Sequence, residues 1–465
     1  MSRAARLAPW LAAAAGLAFS LAAFHPGYLT YDSALQWLQA RHGEYSDIHP
    51  PAMAMLWRQF DRLGLGPGAM LAWHALLYWG GLALLFAALP LKPWLRALAV
   101  LLVGLWPASL GLLPHIWKDI PTAAGFVIAL ALLRWDCERP HPGWRLGALA
   151  ALLFACLMRH NAIAGAAPLL LWLVWREFRL QRPQQPTRWP TLALLTLGLA
   201  ISLQALALLP ARADSVRRVT APWSVVALWD MAAVSLHEQR LVFPDGFADP
   251  TLSLDELRED FWPSANAPVF YREKLFHSFD RDYDDAQVAA LRHAWLRLPL
   301  DYPRAYFAHR ARLLWLLFGG NQAAVADHLV LQPGITPMGD NPPLEPNRSA
   351  LNRWLQARLD ALIDTPFFAG WLYLLAVLAL AAVAWRRRRD DLPATLALAA
   401  AASAVAYVLP LAVLSGSAEF RYLNWLVLAA LLLPFLLWPS TKPWARWTLR
   451  PGVRRSEGRE VREEK

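Results

Sequence analysis

The chain reads as an all-α protein that crosses a membrane about ten times, on three observations. Of its 465 residues, 57% are hydrophobic and only 17% charged, against a globular norm of roughly 45–50% apolar and about 25% charged. The apolar residues gather into separate blocks of about 15 to 24 residues, close to the roughly 20 that a helix needs to cross a bilayer. The basic residues crowd into alternate loops between those blocks, the pattern that fixes membrane orientation. Such a composition excludes a soluble enzyme. It also excludes nucleic-acid binding as the meaning of the net charge of +10, which lies in short loops instead of in one basic face.

In order, the spans are expected at 8–24, 68–90, 94–113, 120–135, 146–159, 162–176, 190–210, 366–385, 393–414 and 422–438. The first, behind Arg3 and Arg6, has no small-x-small cleavage site after it and reads as an uncleaved span instead of a signal peptide. With an even number of spans both termini share a side. The loops on that side carry Lys92 and Arg96, Arg139 and Arg145, Arg176 to Arg188, Arg386 to Arg389, and then Lys442, Arg446 and Arg450, which makes it the cytoplasm by the positive-inside rule. Arg supplies 40 of the 45 basic residues. With the Ala and Leu richness this suggests a GC-rich bacterial source, hence a bacterial inner membrane. Cys137 and Cys156 cannot build a disulfide framework, and the span interiors are almost wholly apolar, with His74 and Gln204 the main exceptions.

This divides the chain into a membrane part at 1–210 with an external first loop at 25–67, an extracytoplasmic insertion at 211–365, spans at 366–440, and a charged cytoplasmic tail at 441–465. In the first loop Asp32 to Ala40 and Pro51 to Leu63 read as short helices lying flat in the membrane interface. Within the insertion, Ser215 to His237 and Tyr302 to Phe318 repeat apolar residues at helical spacing, so a mostly helical cap is expected, with loops at the Pro-rich Gln332 to Pro346.

On the extracytoplasmic side the same face receives Asp32, Asp47, His49, Lys118, Asp119, Arg159, His160, Asn161, Glu419 and Arg421. Charges near a bilayer are costly, at least ~2.5–3.5 kcal/mol each at its centre, so these groups should share one polar cavity. Their types suit transfer from a lipid-linked phosphate donor. Lys118, Arg159 and Arg421 would neutralise charge on the leaving phosphate, and Asp32, or secondly Asp119, would take the proton of an attacking hydroxyl. His49 beside Asp47 would orient the acceptor, assist the proton transfer or bind a divalent ion with a carboxylate. No standard metal-ligand spacing is present, so no metal is required. His25, His42, His115 and His160 read as surface or capping residues, and His74 as a hydrogen-bonded packing residue. No P-loop or Gly-rich strand-to-helix turn occurs, which argues against an ATP-driven pump.

The residues resemble a family. HPGYLTYDS with Asp32, SDIHPP at 46–51, PHIWKD with Asp119, RHN at 159–161 and EFRY at 419–422 are together similar to the GT-C membrane glycosyltransferases, among them protein O-mannosyltransferases and lipid A aminoarabinose transferases. The resemblance implies a GT-C-like fold, a polyprenyl-phosphate-linked sugar as donor, an extracytoplasmic site and inverting transfer with Asp32 as base. Asp47, His49, His160, Asn161, Glu419 and Tyr422 would then orient donor and acceptor. The chain departs from the mannosyltransferases where Ser33 follows Asp32 in place of a second acid, and Lys118-Asp119 stands where two acids are usual. The acceptor, an envelope glycan, lipid or protein, is not indicated. Two other readings stay open: a glycan polymerase or ligase in which arginines do the work, and a lipid or solute transporter.

Overall fold

The computed structural model describes residues 3–439. The charged tail at 441–465, with Lys442, Arg446 and Arg450, and the side chains of Arg3 and Arg6 lie outside the described residues. The chain is mostly helical. Among the described residues the only sheet is a parallel pair of two-residue strands, Tyr45–Ser46 against Val216–Arg217.

Among the described residues six helices are long and apolar enough to cross a membrane: Leu7–Phe24, Gly66–Ala87, Asp119–Glu138, Trp189–Ala207, Gly370–Arg387 and Leu392–Leu414. Three apolar helices are shorter, Pro93–Gly104, Pro142–Met158 and Phe420–Leu436. Ala162–Gln181 has the length but carries Arg176, Glu177 and Arg179 in its second half. The expected span 94–113 is not one helix. It breaks after Gly104 and resumes at Pro107–Leu112, because Pro107 has no N–H to give a continuing helix and its ring clashes with the preceding turn.

Asp119–Glu138 is the axis of the bundle. It packs against Gly66–Ala87, Pro142–Met158 and Asn424–Leu436, and 78% of it is buried, against 22% for Trp189–Ala207 and for Gly370–Arg387. Close approach rests on small residues: a Cβ at Gly125 would sit 3.0 Å from the Ala151 carbonyl. Polar side chains then join helices across the apolar interior. Ser403 Oγ donates to the Gly165 carbonyl at 2.5 Å and accepts from Trp425 Nε1 at 3.1 Å, while Trp172 Nε1 donates to Thr395 Oγ1 at 2.9 Å. His74 is fully buried, but among the described residues neither ring nitrogen has a hydrogen-bond partner. At the far end of the axis the interior is less apolar than the sequence suggests. Asp136, wholly buried, pairs with Arg145 at 2.8 Å and Arg176 at 3.0 Å, and Arg134 pairs with Glu138.

The two first-loop helices form where expected, as Tyr31–His42 and Ala52–Arg62. Ser33 Oγ accepts the Thr30 N–H at 2.9 Å to start the first, and Gly43, at φ 76°, closes it in the left-handed conformation that glycine adopts without steric cost. Arg58 donates to the Ala40 and Arg41 carbonyls, a cation on the free acceptors of that helix end. They do not lie with an apolar side open to lipid. Trp37 stacks on Trp57 at 6.4 Å, and Met53, Ala54 and Trp57 are wholly buried, so this apolar surface is satisfied inside the protein.

The insertion supplies Ser224–Glu238, Leu254–Asp260, Asp285–Asp301, Pro303–Leu317 and Ala350–Asp360. Helix starts only at Ser224, not Ser215, because Val216–Arg217 is drawn out to pair with the first loop and Pro222 follows. Asp230 anchors this part. It accepts from Trp295 Nε1 at 2.7 Å and from Arg310 at 2.6 Å, and Arg310 also donates to the Ser415 carbonyl at 2.7 Å.

Removing the Trp57 side chain should leave a cavity between the loop helices. Trp57→Ala is expected to cost about 3–5 kcal/mol, read as a lower midpoint for loss of monodisperse protein on heating in detergent. An unchanged midpoint would mean that the loop helices contribute nothing to the fold.

Candidate functional site

Four breaks in the helical bundle meet at one end of the axis helix, and each delivers polar side chains. Asp32 sits in the first turn of Tyr31–His42, where the helix dipole favours an acid. His49 follows in the turn before Ala52–Arg62. Lys118 and Asp119 open the axis helix. Arg159 to Asn161 fill the gap between Pro142–Met158 and Ala162–Gln181. Glu419, Arg421 and Tyr422 lie at the 3-10 turn that enters Asn424–Leu436.

These residues form a chain of contacts. Lys118 Nζ donates to His49 Nδ1 at 2.5 Å. His49 Nε2 faces Asp32 Oδ1 at 3.5 Å. The other oxygen of Asp32 accepts from Arg421 Nη2 at 2.8 Å, and Arg421 pairs in turn with Glu419. Beside this line Arg159 pairs with Asp119 and donates to Asn161 Oδ1 at 3.1 Å. Tyr422 joins the two groups: its ring lies 5.1 Å from the Arg159 guanidinium and 5.4 Å from that of Arg421, and its hydroxyl donates to Glu419 at 3.1 Å.

Burial works against the charge of Asp32, but the Arg421 and Lys118 charges and the His49 N–H outweigh it and hold the carboxyl well below the usual carboxylate range. Asp32 is therefore an anion at neutral pH, and 26% of its side chain remains exposed. Burial and the Lys118 charge lower His49, which keeps its imidazole neutral. That fixes the tautomer. Nδ1 accepts from Lys118, so the proton is on Nε2, towards Asp32. Burial pushes the Lys118 ammonium down to about 8, with Asp32 pulling the other way. Among the described residues no carboxylate lies within ion-pair distance of Lys118, in contrast to Arg159 and Arg421. Asp119 is 1% exposed, and among the described residues its Oδ2 has no hydrogen-bond partner.

Two expected members lie at the edge of this chain of contacts. Asp47 accepts the Val219 N–H at 2.7 Å and so ties the first loop to the insertion; the nearby strand pairing serves the same end. His160, half-buried, lies near Asp47, His49, Lys118 and Arg159, and burial lowers its pKa first, with Lys118 next. His115 is not at the surface: it is 1% exposed, stacks on Trp117 at 4.1 Å and accepts the Gln332 N–H. Among the described residues no group of three His, Cys, Asp or Glu side chains is placed to hold a metal ion.

Sequence reasoning missed the residues that brace the charged ones. Trp117 lies 4.8 Å from the Arg421 guanidinium and donates its Nε1–H to Thr30 Oγ1 at 2.8 Å. Ser417 Oγ donates to Glu419 at 2.8 Å, and Asn424 Nδ2 donates to the Asp119 carbonyl at 3.3 Å. Their signal was position alone, since each stands within or next to the short motifs that hold the charges.

The arrangement is a balanced set of charges around an accessible carboxylate, with the Lys118 ammonium on His49 and, among the described residues, on no carboxylate. Binding of inorganic phosphate to the detergent-solubilised protein should therefore be strongest below pH 8. It should weaken as pH rises through about 8 and Lys118 loses its proton, by roughly tenfold per unit above that point. Calorimetric titration of the wild type against Lys118→Arg tests this: the variant, charged throughout, should lose the alkaline fall, and a fall of equal size in both would remove Lys118 from the site.

No family model, no curated protein and no solved structure matches this chain.

Proposed function

We propose that the protein is an integral membrane glycosyltransferase of GT-C type, moving a sugar from a polyprenyl-phosphate donor to an envelope glycan, lipid or protein. The observation that carries this reading is the convergence of Lys118 and Arg421 on the Asp32–His49 pair at one end of the bundle, with Arg159 beside them on Asp119. In the proposed topology the ten apolar blocks are ten spans, the Arg386 to Arg389 end faces the cytoplasm of a bacterial inner membrane, and the site opens on the other side. The arginine-rich loops support that orientation.

The proposed step is a single displacement. The acceptor hydroxyl attacks the anomeric carbon from the side opposite the phosphate, the bond from that carbon to the phosphate oxygen breaks, and its electron pair leaves on the phosphate. The hydroxyl proton passes to Asp32. A carboxylate held low by cations is a weak base in the resting site, but the attacking oxygen becomes far more acidic as its new bond forms. Lys118, already free of carboxylates, meets the phosphate first. Arg421 and Arg159 are released to it only in exchange with Asp32, Glu419 and Asp119. His49, neutral and with its Nε2–H towards Asp32, fixes the carboxylate. Asn161, Tyr422 and Glu419 set the arginines, and His160 and Asp47 border the acceptor side.

Protein reconstituted in liposomes with radiolabelled polyprenyl-phosphate sugars and delipidated envelope acceptors tests the reading. Asp32→Asn is expected to lower transfer by about 10²-fold or more while donor binding persists; an unchanged rate would overturn the assignment. The double tie of Arg421 to Asp32 and Glu419 favours one alternative, a glycan polymerase or ligase in which the arginines act. In that case Arg421→Gln abolishes transfer and Asp32→Asn leaves it largely intact.

A further inference from the structure

A second feature lies at the other end of the bundle. Where the second half of Ala162–Gln181 meets the start of Trp189–Ala207, the end of Gly370–Arg387 and the start of Leu392–Val408, the helices leave a groove of about 720 Å³, within the roughly 300–1,000 Å³ usual for small-molecule sites. Its walls are apolar, with Leu171, Trp175, Leu398 and Ala402 among them. Its rim carries Arg179, Arg388 and Arg389, with Trp189 and Trp385. Both rim tryptophans are exposed, at 57% and 55%.

The rim cations make only local contacts. Among the described residues none of the three is paired with a carboxylate, whereas their neighbours Arg145, Arg176 and Arg387 all are. Arg179 reaches only the Pro183 and Gln185 carbonyls, at 3.4 and 3.2 Å, and Arg388 lies over the Trp385 ring and donates to the Trp385 carbonyl. Trp and Arg together are the residues that settle at the headgroup level of a bilayer. The groove is also separate from the polar site. Asn161 and Arg179 mark the two ends of one helix, some 18 residues or ~27 Å apart, too far for one phosphate to touch both.

We propose that this groove is a binding site for an anionic phospholipid, with the phosphodiester on Arg179, Arg388 and Arg389 and an acyl chain in the apolar trough. A zwitterionic lipid offers the same chain but carries its own cation to the rim, so the site discriminates by headgroup charge. The assignment does not depend on the transferase reading.

The full chain, purified in detergent, is titrated with phosphatidylglycerol or phosphatidylcholine and the retained lipid is counted by native mass spectrometry. Phosphatidylglycerol should be retained preferentially, and Arg179→Gln, Arg388→Gln and Arg389→Gln should each reduce its retention about fivefold. Ala402→Trp, which fills the trough and leaves the rim intact, should reduce retention too, and Arg386→Gln, outside the lining, should not. Inorganic phosphate should fail to compete. Equal retention of both lipids, retention unchanged in the rim variants, or displacement by inorganic phosphate alone would each overturn the proposal, the last by showing a bare anion site.

Discussion

A guanidinium that leaves water must find anions, and Arg421 finds two, Asp32 and Glu419. Its side chain is 8% exposed, and breaking a pair so buried costs about 3–5 kcal/mol. The tie to Asp32 spans 389 residues. It holds the first loop against the turn that enters the last described helix, and the other polar contacts fall into place around it. Trp117 covers one side of the guanidinium, Tyr422 lies beside it, and Thr30 fixes Trp117 through its hydroxyl. The same pair sets the chemistry of Asp32, which is anionic because Arg421 is there.

The balance of charge has a consequence for ligands. Three cations face three carboxylates, Asp32, Asp119 and Glu419, and the neutral His49 stands between Lys118 and Asp32. An added anion cannot simply join. It either takes Lys118, which has no carboxylate partner among the described residues, or it displaces a carboxylate from an arginine. A site built this way is stable when empty and releases its cations only to a ligand with comparable charge and reach, which suits a phosphate better than a neutral sugar.

The insertion shares in this through the backbone. Arg310 holds the Ser415 carbonyl just ahead of Ser417 and Glu419, and Asp47 holds the Val219 N–H. These contacts fasten the two loops that carry the polar residues to one body, so the insertion is a brace for the site. The opposite end of the axis helix is organised differently. Asp136 gathers Arg145 and Arg176 in the interior, and the unpaired arginines are left to the rim of the apolar groove.

What the sequence determined by itself was the helical architecture and most of its breaks. Apolar blocks of spanning length can only be helices in a bilayer, and polar motifs can be carried only where those helices end. Asp32, Lys118, Asp119, Arg159 and Arg421 were legible for that reason. What the tertiary structure decided was who meets whom. Pairing between Asp32 and Arg421, or between Lys118 and His49, has no periodicity, because it depends on which helix ends pack side by side. The split at Pro107 and the burial of Trp57 were also out of reach. An apolar residue reads the same whether lipid or protein covers it, and only packing settles which. The groove was hidden for the same reason: a run of four arginines reads as a membrane stop until the neighbouring helices show which of them, among the described residues, have no carboxylate partner.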